Sequence, residues 1–251
     1  MIGTTNAVGS GGGLKSTDAI LRVIAPAGSA VTISKGTVSK SDLGHENAAD
    51  NTLYDYYFII HASQFDSVNP WTVTATKNGE SITKTVIINA PDEYDITLVW
   101  LSVIKNGYFV NGYSSAVNLR NGQPVTVTEN YNSSGFMKVT APGSYSSGLG
   151  LNSTDVSKYN TMYFDGYANA SLANNGNGIV GIYPSYNYNN TSDIQNSALV
   201  KATFTNTSTA QKTLDISSVS GSRYMAVALY ITGSSALAPY DVFVQDLILY
   251  V

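Results

Sequence analysis

Trp71-Thr72-Val73-Thr74-Ala75-Thr76-Lys77-Asn78-Gly79-Glu80-Ser81-Ile82-Thr83-Lys84-Thr85-Val86-Ile87-Ile88 is the stretch whose reading decides the fold. Trp71, Val73 and Ala75 alternate with threonines, the period-2 pattern of a strand with one buried face. Asn78-Gly79 supplies the turn, because both residues tolerate the positive φ that a type I′ hairpin requires. Ser81–Ile88 then returns as the partner strand. Upstream, Ala19–Ala25 is strand-like, Pro26-Ala27-Gly28-Ser29 reads as a turn, Val31-Thr32-Ile33 alternates, and Lys35-Gly36 turns the chain back. Leu53–Ile60 is almost wholly aromatic or branched and suits a central strand. Downstream, Tyr94–Trp100 places Tyr94, Ile96, Leu98 and Trp100 on one face. Roughly seven strands at this density match a small immunoglobulin-like β-sandwich over residues 16–102.

The composition changes beyond Leu101. Residues 1–101 hold 16 charged residues and 4 Tyr, whereas residues 102–251 hold 14 charged residues and 14 Tyr. Asn106-Gly107, Asn111-Gly112 and Asn121-Gly122 punctuate the crossing, which sets a boundary near residue 103. Strands are expected at Gln123–Glu129, Phe136–Thr140, Thr161–Ala168, Ile179–Tyr183, Leu199–Asn206, Lys212–Ile216, Tyr224–Ile231 and Tyr240–Tyr250. Strands of this number joined by Asn/Gly/Ser loops indicate a jelly-roll β-sandwich over 103–251. A helical turn is expected around Ser153–Tyr159, with Ser153 or Thr154 as its cap. Residues 1–15, with Gly9-Ser10-Gly11-Gly12-Gly13, read as a flexible arm.

Composition excludes several function classes. Charged residues make up 12% of the 251, against ~25% in ordinary soluble proteins. Apolar residues still reach 43%. Coiled coils and helical bundles need more Glu, Lys, Leu and Ala than this. A net charge of −4 leaves no basic excess for nucleic-acid backbones. No apolar run approaches the ~18 residues of a membrane span, so membrane insertion is not expected. Zero cysteines remove disulfides, zinc ribbons and thiol catalysis.

Candidate chemistry is sparse. Hydrolysis by serine needs a histidine base, yet His45 and His61 both fall in the first domain and read as structural. Glycoside cleavage needs two carboxylates across a cleft; Glu129, Asp155, Asp165, Asp193, Asp215, Asp241 and Asp246 show no local pairing. No enzyme activity is expected. A calcium site needs six to eight oxygens and would draw on Asp165, Asp241 and Asp246. Asp246, within Val244-Gln245-Asp246-Leu247-Ile248, reads as an outward strand carboxylate, so no metal or cofactor is assigned. The binding signal lies in Tyr183-Pro184-Ser185-Tyr186-Asn187-Tyr188-Asn189-Asn190. Exposed rings of Tyr183, Tyr186 and Tyr188 would stack on sugars, with the Asn187 and Asn189 amides meeting hydroxyls. The other reading of the same rings is as packing or interface residues.

Leu21–Ile33, with its Pro26/Gly28 turn ahead of Val31-Thr32-Ile33, resembles the opening of PEGA-like and carboxypeptidase-regulatory-like sandwich domains. Leu53–Ile60 and Trp71–Thr76, behind Met1-Ile2-Gly3 and a glycine tract, are similar to structural proteins of phages and prophages of Gram-positive gut bacteria. The likeness covers about residues 1–101, and Ser39–Asn51 is an insertion relative to PEGA domains. The second half is similar, at the level of class, to jelly-roll modules of phage fibres and carbohydrate-binding proteins. These resemblances imply a virion location reached by lysis, since the sequence shows no signal peptide. They imply a tail-fibre or receptor-binding component on host-surface glycan. The alternatives are a capsid decoration or head-fibre protein and a bacterial polysaccharide-binding module. The implied partners are other virion proteins through the arm, and a homo-oligomer, a trimer by analogy with fibres.

Overall fold

The structure, a computed structural model, describes residues 17–36, 38–42, 44–47, 50–141, 145–232 and 239–251. The arm expected at 1–15 lies outside the described residues. The chain forms two compact units, one ending at Val99 and one running from Trp100 to Val251.

Among the described residues the first unit is an immunoglobulin-like sandwich of eight strands: β1 (Ala19–Pro26), β2 (Ala30–Lys35), β3 (Val38–Asp42), β4 (His45–Asn47), β5 (Asp50–Ile60), β6 (Trp71–Lys77), β7 (Glu80–Val86) and β8 (Glu93–Thr97). One sheet has the order β4-β5-β1-β8 and the other β3-β2-β6-β7. Alternation drives both. Ala19, Leu21, Val23 and Ala25 are fully buried, as are Val73 and Ala75, while their sequence neighbours face outward. The β6–β7 turn forms as expected, with Asn78 at φ 53° and Gly79 at φ 80°. Tyr56 sits in the core and satisfies its hydroxyl on the Ser29 carbonyl at 2.9 Å. β3 and β4, in the region read as an insertion from the sequence, extend opposite sheets.

Two expectations at the end of this unit are corrected. The strand expected over Tyr94–Trp100 stops at Thr97, and Trp100 opens the next strand. The division therefore precedes Trp100 rather than falling near residue 103, because Trp100–Lys105 is a single strand paired within the second unit.

The second unit is a jelly roll. Its strands are β9 (Trp100–Lys105), β10 (Tyr108–Phe109), β11 (Ser115–Asn118), β12 (Thr126–Thr128), β13 (Met137–Thr140), β14 (Ser147–Leu151), β15 (Thr154–Asp155), β16 (Thr161–Ala168), β17 (Gly176–Tyr183), β18 (Val200–Phe204), β19 (Ala210–Asp215), β20 (Ser222–Ile231) and β21 (Asp241–Tyr250). Short helices α1 (Ala170–Asn175) and α2 (Thr191–Asn196) follow β16 and β17. The first sheet runs β13-β21-β16-β19, with β12 beyond β13 and with β9 and β10 extending the β21 edge. The second runs β11-β14-β20-β17-β18. Successive strands β13, β14, β16 and β17 alternate between the sheets, as do β18 through β21, which is the jelly-roll path. One core holds Met137, Val139, Phe164, Leu247 and Leu249 from the first sheet against Leu149, Val180, Ile182, Val227 and Leu229 from the second.

The helical turn expected at Ser153–Tyr159 is reduced to a single hydrogen-bonded turn, with the Tyr159 amide donating to the Val156 carbonyl at 3.0 Å, and no helix forms there. Thr154 and Asp155 pair with Arg223 and Ser222 as β15, and the Asp155 carboxylate accepts from the Ser157 amide at 3.0 Å. That local side-chain bond offers the backbone an alternative to a helix. Among the described residues no helix is long and apolar enough to cross a membrane.

Candidate functional site

The tyrosine segment does not form a three-ring platform. Tyr183 is the last residue of β17 and is fully buried, with its hydroxyl donating to the Ile194 carbonyl at 2.7 Å. Burial pushes its phenol well above the ordinary tyrosine range. It belongs to a satellite core with Leu119, Ile179, Ile194, Ala226 and Ala228, against which Tyr188 packs. Tyr188 is half-buried, 6.1 Å from the Tyr183 ring. Its amide donates to Leu119 and its carbonyl accepts from Asn121, so the segment is pinned to Asn118–Asn121 through the backbone. Tyr186 packs edge-on against Tyr224 at 4.9 Å and is half-buried. Asn187 and Asn189 are exposed, and Asn189 accepts from the Asn121 side chain at 3.3 Å. The reason is legible in β17 itself: Gly178 through Tyr183 are all buried, so both faces of this strand are covered and its final ring is covered with them.

The opposite sheet presents a different outer face. Along β16, Tyr163, Asp165 and Tyr167 point away from the core while Met162 and Phe164 point into it. Register sets Phe243 of β21 opposite Tyr167, Asp246 opposite Asp165 and Ile248 opposite Tyr163. Tyr167 and Phe243 stack with centroids 4.6 Å apart and planes 11° from parallel. Two further rings come from the loop before β13. Phe136 meets Tyr167 edge-on at 5.3 Å, and Tyr131 meets Phe243 at 5.9 Å. All four rings are half-buried. Asn130 shapes that loop: its left-handed backbone (φ 42°) starts the turn, and its side-chain oxygen accepts from Gly135 at 2.9 Å.

A β-bulge lies under this row. The pairing steps from Asp165↔Asp246 to Gly166↔Val244, leaving Gln245 as the extra residue. The step brings the strands close, and a Cβ on Gly166 would lie 2.4 Å from the Phe243 carbonyl oxygen. Glycine is therefore required where β16 passes between Asp165 and Tyr167.

Charges on the face are nearly all engaged. Lys105 pairs with Asp246 at 3.1 Å, and the other Asp246 oxygen accepts from the Asn106 amide at 3.0 Å. Lys138 pairs with Asp241 at 3.6 Å and lies 4.6 Å from the Tyr131 ring centroid. Asp241 also accepts from Thr140 and Asn169. Asp165, 7% exposed, differs: one oxygen accepts from Tyr163 at 3.3 Å and from Gln211 at 3.5 Å, and the other is buried with no hydrogen-bond partner among the described residues. Burial and the carboxylates of Asp165 and Asp246 push the Tyr163 phenol up to about 12.

Asp165, Asp241 and Asp246, the acids weighed for calcium, do share this face. Among the described residues, however, no three acidic or histidine side chains come together to hold a metal ion. Asp246 is the outward strand carboxylate expected of it. In the first unit, His61 pairs with Asp18 at 3.2 Å and His45 lies near the Tyr57 ring. The sequence signal for the sheet face was the alternation Tyr163-x-Asp165-x-Tyr167; on β21 the bulge shifts the phase and hides its partners.

No family model and no curated protein sequence matches the chain. One solved structure that it resembles is described as concerning the carbohydrate-binding modules of the beta-sandwich super family. The TM-score is 0.40 at 14% identity, covering 87% of this chain and 83% of that one.

Proposed function

We propose that this protein is a non-enzymatic glycan-binding protein whose second unit takes sugar on the outer face of the β13-β21-β16-β19 sheet. The observation that carries this reading is the row Tyr131, Phe243, Tyr167 and Phe136, four half-buried rings on a sheet face. Apolar sugar faces pack on aromatic rings, while neighbouring hydroxyls need donors and acceptors. Gln211, Tyr163 and Lys138 supply such groups beside the rings. A strand-lined face suits an extended chain, and sites of this kind are individually weak, so display in several copies raises avidity. The setting we propose, on the resemblance of residues 1–101, is a phage virion in which this face adheres to host-surface glycan.

The test is binding of the purified protein to a panel of soluble β-glucan, xylan, mannan and chitosan by calorimetry or affinity electrophoresis. At least one should bind, and Phe243→Ala should weaken it by about tenfold, on the order of 1.4 kcal/mol. Tyr186→Ala should leave it intact. Loss on Tyr186→Ala with binding retained in Phe243→Ala would return the site to the tyrosine segment. No binding to any member would overturn the reading. Locating the protein in an intact particle by electron microscopy tests the virion setting separately.

A further inference from the structure

We infer that the glycan taken by this face carries no acidic groups, and that Asp165 is the residue that sets this selectivity. The inference rests on the glycan-binding reading and adds the ligand's charge class. Around the ring row, among the described residues, stand three carboxylates, Asp165, Asp241 and Asp246, and two ammonium groups, Lys105 and Lys138; Asp215 lies at the far end of β19, opposite Thr161. Each ammonium is already spoken for, Lys105 by Asp246 and Lys138 by Asp241. Asp165 makes no ion pair among the described residues, and one of its oxygens lacks even a hydrogen bond. Its strand partner in register is another carboxylate, Asp246. Like charges directly opposite on a sheet destabilise it, and so does a buried acceptor without a donor. On its other side stands neutral Gln211. Lys212 is in register with the core residue Phe164 and therefore alternates to the opposite side.

Next to the stacked Tyr167–Phe243 pair, Asp165 is thus a negative charge without a cationic partner among the described residues. A uronate, sulfate or phosphate group brought onto the rings meets that charge, and partial burial limits the screening. A neutral sugar pays no such penalty, and an amine-bearing sugar gains by it.

The experiment compares β-glucan with its C6-carboxylated derivative, and chitosan with its fully N-acetylated oligomers, at low salt. The wild type should bind the neutral glucan at least tenfold more tightly than the carboxylated form. Asp165→Asn should shrink that ratio by about tenfold and lower the preference for chitosan. Gln211→Lys, an exposed substitution beside Asp165 that leaves the buried residue in place, should shift the ratio the same way. Raising the salt to about 1 M, where the Debye length is ~3 Å, should erode the discrimination in the wild type. Equal or tighter binding of the carboxylated glucan by the wild type overturns the inference while leaving glycan binding intact. So does an unchanged ratio in both variants. Failure to bind any of the four probes falls on the glycan reading itself.

Discussion

The two outer faces of the jelly roll answer the same problem in opposite ways. β17 and β16 are equivalent eight-residue strands in their respective sheets. Gly178 to Tyr183 of β17 are buried without alternation, so the strand needs cover on both sides. It obtains the second cover from α2, through Ile194, and from the segment that follows Tyr183. β16 alternates instead: Met162 and Phe164 enter the core while Tyr163 and Tyr167 stay half-exposed beside Asp165. A strand polar on one side needs no second layer, and its face is left available. The proposed glycan site therefore draws on the open face around the alternating strand, Tyr167 with Phe243 and the loop rings Tyr131 and Phe136, rather than on the segment richest in tyrosine.

The largest expected effect breaks this contrast from the covered side. Tyr183→Ala should destabilise the second unit by about 3–5 kcal/mol, the range for emptying a buried aromatic site. Tyr183→Phe, which strands only the Ile194 carbonyl, should cost about 1 kcal/mol. Both are read by chemical denaturation. A negligible cost for Tyr183→Ala would mean the ring is not a core residue, and the tyrosine segment would regain its claim as a sugar platform.

A smaller effect sharpens the contrast from the open side. The Tyr163 phenol is raised from an ordinary 10 to about 12, chiefly by burial and then by the Asp165 charge. Folding thus favours the neutral phenol. That contribution is fully present below about pH 10 and is lost as the pH rises toward 12. Ultraviolet difference titration against Tyr163→Phe should show one tyrosine ionising near 12 in the wild type. In Asp165→Asn its midpoint should move down. A midpoint that stays put in Asp165→Asn would separate the phenol from the carboxylate and weaken the description of this face.

Much of the fold was legible because its signals are local. The Asn78-Gly79 hairpin, the alternation of β1 and β6, and the strands β16, β17, β20 and β21 follow from side-chain period and turn chemistry. β14 was not legible: Ser147-Gly148-Leu149-Gly150-Leu151 reads as loop, yet Gly148 is demanded by close approach, since a Cβ there would lie 2.9 Å from that of Ala228. Trp100 kept the right alternation but belongs to the next unit, because the chain leaves the first sandwich at Leu98 and Val99 without any break in hydrophobicity. The sheet-face site was hidden for a physical reason as well. Its members come from strands far apart in sequence, and the bulge at Gln245 spaces Phe243 and Asp246 three residues apart, so no strand period joins them. Tyr183, Tyr186 and Tyr188 stood out only because they are adjacent in sequence.

The most direct test of where this protein binds is to titrate the isotope-labelled protein with the oligosaccharide that binds best and follow amide and aromatic chemical shifts residue by residue. Perturbations concentrated on Tyr131, Phe136, Tyr163, Asp165, Tyr167, Gln211 and Phe243, with Asn187 and Asn189 unmoved, are the expected result. Perturbations centred on Tyr186, Asn187 and Asn189, with Tyr167 and Phe243 unmoved, would contradict the assignment of the glycan to the open sheet face.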